Sequence, residues 1–261
     1  MKYGFIGCGN MGSAVARALS QKTKDILITD RSGKAKALAQ ELGIGYCDNL
    51  TAAQSCDRIF LAVKPQMMAS VLAPLREVLA KRKPLLITMA AGLTIAQIQD
   101  FAGAAMPVLR IMPNTLTAVG MGMIQYCPNA LVDDSVLKDW LEDMAPCGRL
   151  DRLEEHLIDA ASALSGCGPA YMYLFLEALA DGAVACGVPR KKAMEYAAAT
   201  MAGAAEMVLK TGLHPGELKD AVCSPGGSTI AGVRVLESHG FRGAAMDCVI
   251  AAFEKNKALG K

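Results

Sequence analysis

The sequence predicts an α/β chain in which a parallel sheet, covered by helices on both faces, is followed by an all-helical domain. Three observations support that fold class. Short apolar runs alternate with segments of helical periodicity through the first half. A glycine-rich turn stands between the first apolar run and the first helix. Beyond Leu150 no convincing strand remains.

Residues 3–6, 26–29, 58–63, 85–89 and 108–112 are apolar runs of four to six residues, the continuity expected of strands buried on both faces. Between them, 11–20, 34–42, 66–80 and 94–101 repeat their apolar residues at helical spacing. Shorter strands at 122–126 and 147–150, with a helix at 133–144 between them, complete the sheet. From 154 onward, helical segments at 154–164, 170–186, 190–210, 216–223, 229–238 and 242–257 are divided by Gly and Pro. Pro189 and Pro215 stand where helices open, the position at which a missing N–H costs little. The small residues of 178–185 and 197–205 allow helices to approach closely, as oligomer interfaces often require. The expected domains are 1–150 and 151–261.

Composition bounds the function. Hydrophobic residues make up 52% and charged residues 20%, which suits a well-buried globular protein. The net charge of +2 gives no electrostatic reason to expect nucleic acid or an anionic membrane as partner. The basic runs Lys81-Arg82-Lys83 and Arg190-Lys191-Lys192 fall at helix boundaries and read as solvated ends. Nine scattered cysteines without a C-x-x-C pair, and no export signal, predict reduced thiols in a cytoplasmic protein. His156, His214 and His239 are too far apart for a helical metal pair, and no metal is expected. The apolar stretch 160–188 is broken by Gly166, Gly168 and Pro169 and carries Glu177 and Asp181, so no membrane span is expected.

Gly7-Cys8-Gly9-Asn10-Met11-Gly12 is G-x-G-x-x-G, placed directly after the first strand and opening the first helix. The first glycine permits a tight turn, the second lets backbone approach a pyrophosphate, and the third lets helix and strand pack closely. Phosphate oxygens then meet N–H groups at a positive helix end. Strand, helix and an acidic residue closing the second strand all agree, so 1–150 reads as an NAD(P)-binding domain of Rossmann type. Asp30, 18 positions after Gly12, suits an adenosine ribose and favours NAD. Arg31 beside it suits the extra phosphate of NADP, or stacks on adenine, or is an ordinary solvated charge. The cofactor is therefore NADP or NAD, its reduced form donating hydride. Val63, Lys64 and Pro65 end a buried strand at the sheet edge where open α/β folds bind ligands. Ala90, Ala91, Gly92 and Asn114 end the next two strands and are expected to line the nicotinamide end. Lys64 has the alternative of capping its strand on the surface, and Asn49 either reaches the adenosine side or is a plain loop amide.

In the second half, Ser224-Pro225-Gly226-Gly227-Ser228-Thr229 leads into an apolar helical run. Two glycines expose backbone at a helix start, where converging N–H donors and the dipole suit a carboxylate. Plain capping by Ser228 or Thr229 is the equal alternative from these residues alone.

That turn, preceded by Asp220-Ala221-Val222-Cys223 and followed by Val235-Leu236-Glu237, closely resembles the signature of pyrroline-5-carboxylate reductases. Supporting matches are Phe5-Ile6 before the first glycine turn, Ala62-Val63-Lys64-Pro65, Arg110-Ile111-Met112-Pro113-Asn114, Ser165-Gly166-Cys167-Gly168-Pro169-Ala170-Tyr171 and His214-Pro215-Gly216. The resemblance implies reduction of 1-pyrroline-5-carboxylate to L-proline, the last step of proline biosynthesis. It implies that Ser224, Gly226, Gly227, Ser228 and Thr229 hold the substrate carboxylate, with Thr229 near the ring nitrogen. It also implies Asn49, Lys64 and residues 90–92 near the cofactor. Residues 151–261 would then bind substrate and form dimers through interlocked helices, often assembled into a decamer. Asp30 is atypical of strongly NADP-selective members, so the preference stays open.

The implied chemistry fits the residues. A protonated cyclic imine already accepts hydride, so orientation can supply most of the catalysis. Thr229 is the expected catalytic residue, by hydrogen bonding the ring nitrogen or relaying its proton. Glu177 reads more simply as a helix-surface residue. Two rival readings are a β-hydroxyacid dehydrogenase, for which Lys191, Lys192, Lys210 and Lys219 are poorly placed, and a non-catalytic NAD(P)-binding redox sensor.

Overall fold

The computed structural model describes residues 1–30 and 33–259. Among them, eight strands form one sheet: β1 (Tyr3–Ile6), β2 (Ile26–Thr29), β3 (Gly45–Tyr46), β4 (Arg58–Leu61), β5 (Leu85–Thr88), β6 (Val108–Met112), β7 (Gly122–Pro128) and β8 (Gly148–Arg152). Their order is β3-β2-β1-β4-β5-β6-β7-β8. Neighbours are parallel except β6 and β7, with Phe5 opposite both Ile28 and Phe60. The strand order reverses between β1 and β4, and a crevice opens there at the carboxyl ends of the strands.

The helices that cover this sheet include α1 (Asn10–Leu19), α2 (Lys34–Leu42), α3 (Asn49–Ser55), α4 (Met68–Leu72), α5 (Arg76–Arg82), α6 (Ile95–Ala102) and α7 (Asp134–Met144). Side chains alternate across a strand, so each strand feeds two cores. Phe5, Phe60 and Ile87 join Val15, Leu19 and Trp140 in one core. Ile6, Ile59, Leu61 and Leu86 join Leu72, Leu79 and Ile98 in the other. Burial on both faces explains why these strands are apolar throughout instead of alternating. Phe5 stacks on Phe60 with ring centroids 4.4 Å apart.

One sequence expectation is corrected, and one stretch holds elements the sequence did not announce. The helix at 66–80 is broken at Pro74, whose missing N–H leaves a 3-10 turn at Ala73–Leu75 between α4 and α5. The two-residue β3 and the short α3, capped by Asp48 accepting from the Thr51 N–H at 2.7 Å, were not anticipated.

Two arginines sit inside the apolar layers. Arg58 on β4 pairs with Asp143 of α7 at 3.0 Å and donates to the Tyr3 hydroxyl. Tyr3 donates in turn to Asp143 at 2.6 Å. Burial first, and then that bond to Asp143, raise the Tyr3 pKa well above its ordinary value, so it stays a phenol. Arg110 on β6 pairs with Asp159 at 2.6 Å and Glu155 at 3.5 Å, both on α8 (Glu155–Ser165).

These bonds tie α8 to the sheet. The first compact unit accordingly spans Met1–Cys167 together with the segment from Ala252, and extends past residue 150, where strand patterning ends. The second unit, Gly168–Ala251, is helical. It contains α9 (Gly168–Ala185), α10 (Arg190–Thr211), α11 (Pro215–Ala221), α12 (Ser228–Ser238) and the start of α13 (Phe241–Leu259). Its core is small: Ala180, Ala193 and Ala197 are buried between α9 and α10. Phe175 packs on Phe241, and the Tyr171 hydroxyl donates to the Cys248 carbonyl at 3.2 Å. Large apolar side chains stay uncovered in the single chain, with Leu174 at 70% and Met246 at 65% exposure.

Asp159→Ala leaves Arg110 buried with only the longer Glu155 contact, and is expected to lower unfolding stability by about 2 kcal/mol. A urea titration checks this; an unchanged midpoint would show that Arg110 does not depend on the pair.

Candidate functional site

The turn after β1 is shaped by what cannot fit there. Gly7 has φ of 96°, and a Cβ on it would lie 2.7 Å from the Ala62 carbonyl oxygen and 2.8 Å from Val63 Cγ1. Gly12, inside the first turn of α1, brings that helix onto the same turn, since a Cβ there would meet the Gly7 carbonyl oxygen at 2.8 Å. Gly9 is different. It is the N-cap of α1, and a Cβ on it would meet nothing within 4 Å. Packing does not require glycine at that position, so the bare backbone there suits the close approach of a ligand. The Ser13 hydroxyl donates to the Cys8 carbonyl at 3.0 Å and fixes the turn. No side chain caps α1 and no acidic residue lies in its first turn, where Asn10, Met11 and Gly12 present N–H groups.

A cavity of about 910 Å³ opens beside this turn, at the carboxyl ends of β1, β2 and β4. Gly7, Gly9, Asp30, Asn49, Val63 and Lys64, all expected from the sequence, line it. Thr29, Lys34 and Tyr46 line it too and were missed. The signal for Thr29 was its place as the last residue of β2, immediately before Asp30.

Asp30 accepts hydrogen bonds from the Gly33 N–H at 3.0 Å and the Ala35 N–H at 3.1 Å, so its carboxylate also caps the start of α2. Arg31 lies outside the described residues. Asn49 is the first residue of α3, not a loop amide, and its side-chain oxygen accepts the Thr29 hydroxyl. Lys64 is exposed and precedes the 3-10 turn opened by Pro65. Burial pushes the thiols of Cys8 and Cys47 up, Cys47 to about 11, so neither cysteine of the cavity supplies a thiolate at neutral pH.

Ala90, Ala91 and Gly92 follow β5 but do not line this cavity. The Ala90 N–H donates to Thr88 Oγ1 at 3.3 Å, and Gly92 has φ of 74°. Asn114 is buried, its amide donates to the Ser165 carbonyl at 2.9 Å, and its oxygen accepts from the Met123 N–H at 3.4 Å. Those bonds of Asn114 brace α8 and β7.

In the second unit, Ser224 to Gly227 forms a β-turn. The Gly227 N–H donates to the Ser224 carbonyl at 3.0 Å, with Pro225 second and Gly226, at φ of 68°, third. Proline and then a left-handed glycine are what such a turn demands. Gly227 is the N-cap of α12, while Ser228 and Thr229 are its first two helical residues. Neither hydroxyl caps the helix, and its first turn holds no acidic residue. The segment is exposed apart from a half-buried Gly227, and Glu177 on α9 is likewise exposed. Among the described residues no group of three or more His, Cys, Asp or Glu could hold a metal, and no helix is long and apolar enough to cross a membrane.

Comparison with known proteins matches residues 155–259 to the family described as pyrroline-5-carboxylate reductase dimerisation, and residues 2–92 to that described as NADP oxidoreductase, coenzyme F420-dependent. The pyrroline-5-carboxylate reductase of Escherichia coli (strain K12) is 41% identical, over 100% of this chain and 98% of the relative. That of Methanosarcina acetivorans is 40% identical with the same coverage. Among solved structures, the Plasmodium falciparum pyrroline carboxylate reductase with NADP bound is 35% identical with a TM-score of 0.90, over 100% of this chain and 98% of that one.

Gly9→Ala separates ligand approach from packing, because the added methyl meets no protein atom. It is expected to lower stability by less than about 1 kcal/mol while weakening dinucleotide binding about tenfold or more. Calorimetric titration with NADH and NADPH alongside thermal melts reads both; unchanged affinity would place the cofactor elsewhere.

Proposed function

The chain belongs to the pyrroline-5-carboxylate reductase family, and from that premise we propose how its residues divide the work of one hydride transfer. The protein is an NAD(P)H-dependent reductase that converts 1-pyrroline-5-carboxylate to L-proline, the closing step of proline biosynthesis. Bound NAD(P)H supplies the hydride.

The glycine turn, with Gly7, Gly9, Asn10, Met11 and Gly12, holds the pyrophosphate by backbone N–H groups at the start of α1. Asp30, with Arg31 beside it in sequence, and Asn49 serve the adenosine half. Val63, Lys64, Pro65 and residues 90–92 serve the nicotinamide half. Ser224, Gly226, Gly227, Ser228 and Thr229 hold the substrate carboxylate, and the Thr229 hydroxyl orients the ring nitrogen. One observation carries this division. Both α1 and α12 are opened by a glycine, with no side-chain cap and no acidic residue in the first turn. At α3, α6 and α7 the side chains of Asp48, Thr94 and Asp133 accept the first-turn N–H groups instead. A third glycine-opened helix, α2 behind Gly33, has its Ala35 N–H taken by the Asp30 carboxylate. The starts of α1 and α12 therefore retain donors and a positive field for anions, which suits a pyrophosphate and a carboxylate.

No strong acid or base is needed at the imine. Protonated, it is a cation adjacent to a bound carboxylate, and orientation of the ring is the protein's main contribution. A hydroxyl is sufficient for that.

The chain carries the family's dimerisation region, and large apolar side chains of its helical unit are uncovered in a single copy. The assembly proposed is a homodimer built by that unit, stacked further into a decamer. The place of action proposed is the cytoplasm, where nine unpaired cysteines remain reduced.

Thr229→Ala is expected to lower kcat by about tenfold or more while changing the cofactor KM by less than about twofold, since the lost hydroxyl acts on the substrate. Steady-state rates with 1-pyrroline-5-carboxylate check it; equal losses in both constants would remove Thr229 from the substrate.

A further inference from the structure

Asn49 lines the cavity beside the glycine turn, and an amide there is ambiguous. Its oxygen accepts and its nitrogen donates, the two ends are nearly the same shape, and a half-turn exchanges them. Which end meets the ligand depends on what holds the other. Here Thr29 holds it. The Thr29 hydroxyl donates to Asn49 Oδ1, joining the last residue of β2 to the first of α3.

Thr29 has little freedom to do anything else. It is 2% exposed, and its own carbonyl accepts the Gly7 N–H at 3.0 Å, so its backbone belongs to the same ladder that sets the glycine turn. Both Thr29 and Asn49 line the cavity, beside Asp30. With Oδ1 engaged, the amide nitrogen is the end left to act as donor toward a ligand.

We infer that Thr29 is a positioning residue for the cofactor: its hydroxyl fixes Asn49 with the amide nitrogen as donor to an acceptor oxygen on the adenosine ribose of NAD(P)H. The inference rests on the reading that this cavity holds the dinucleotide. Asp30, an acceptor at the same edge, and Asn49, a donor, then make a complementary pair for vicinal ribose oxygens, which both donate and accept. Thr29 itself touches no reacting atom and acts only through Asn49. A threonine, unlike valine, is therefore required at a strand end where apolar packing alone would suit either.

The test uses the full-length protein with NADH and NADPH in calorimetric titrations, together with steady-state rates. Thr29→Val keeps the branched shape and removes the hydroxyl. It is expected to weaken binding of both cofactors about five- to tenfold, the effect of one lost hydrogen bond, while kcat at saturating cofactor and the imine KM stay within about twofold. Thr29→Ser, which restores a hydroxyl, is expected to recover most of the loss. The double variant Thr29→Val with Asn49→Ala is expected to bind no worse than Asn49→Ala alone, since both changes remove the same contact. Unchanged binding by Thr29→Val, or full additivity in the double variant, overturns the inference. If Thr29→Val does not fold, Asn49→Asp decides: its carboxylate still accepts from Thr29 but cannot donate, so binding must fall, and retained affinity overturns the inference. Failure of the wild-type protein to bind either dinucleotide would instead sink the reading of the cavity itself.

Discussion

At the first strand-to-helix turn the Ala62 carbonyl oxygen lies where a Cβ on Gly7 would have to go, 2.7 Å away, and the Gly7 carbonyl oxygen lies where a Cβ on Gly12 would go. Three backbone segments, the end of β1, the start of α1 and the end of β4, are thus in contact without any side chain between them. That contact aims the start of α1 across the carboxyl edge of the sheet, at the reversal of strand order. Gly9 stands outside this jam with open space around it. The turn is fixed by two glycines that packing requires and offers a third that packing does not.

Holding such a turn needs a sheet that does not yield. The strands β1, β4, β5 and β6 are buried on both faces and fill two separate cores, and the two arginines they carry are bound internally. Arg58 and Arg110 each reach from a central strand to carboxylates on a covering helix. Arg58 ties down α7 through Asp143, with Tyr3 completing the triangle, and Arg110 ties down α8. The helical unit follows another principle. Its small core is made of alanines, many of its large apolar side chains are exposed, and it carries the family's dimerisation region, which fits oligomerisation.

Much of this was legible in the amino-acid order, for reasons that also set the limit. Continuous apolar strands and the spaced glycines are local signals, and they located β1, β2, β4, β5, β6 and the first turn. The same is true of Ser224 to Gly227, where proline followed by glycine encodes the turn itself. Long-range pairing was not legible. Arg110 stands in an apolar strand with partners 45 and 49 residues away. Asn114 stands at a strand end, where ligands bind, yet spends its amide on Ser165, 51 residues on. Thr29 gave no sign that its hydroxyl would meet Asn49, because α3 is too short and too polar to announce itself and β3 has only two residues. Position along an element could be read; the partner a polar side chain finds could not.

A crystal structure of the protein grown with NADPH tests the account most directly. The pyrophosphate oxygens are expected about 3 Å from the backbone nitrogens of residues 9–12, within the crevice between β1 and β4. Dinucleotide density away from that turn, or a pyrophosphate held by side chains alone, would contradict it.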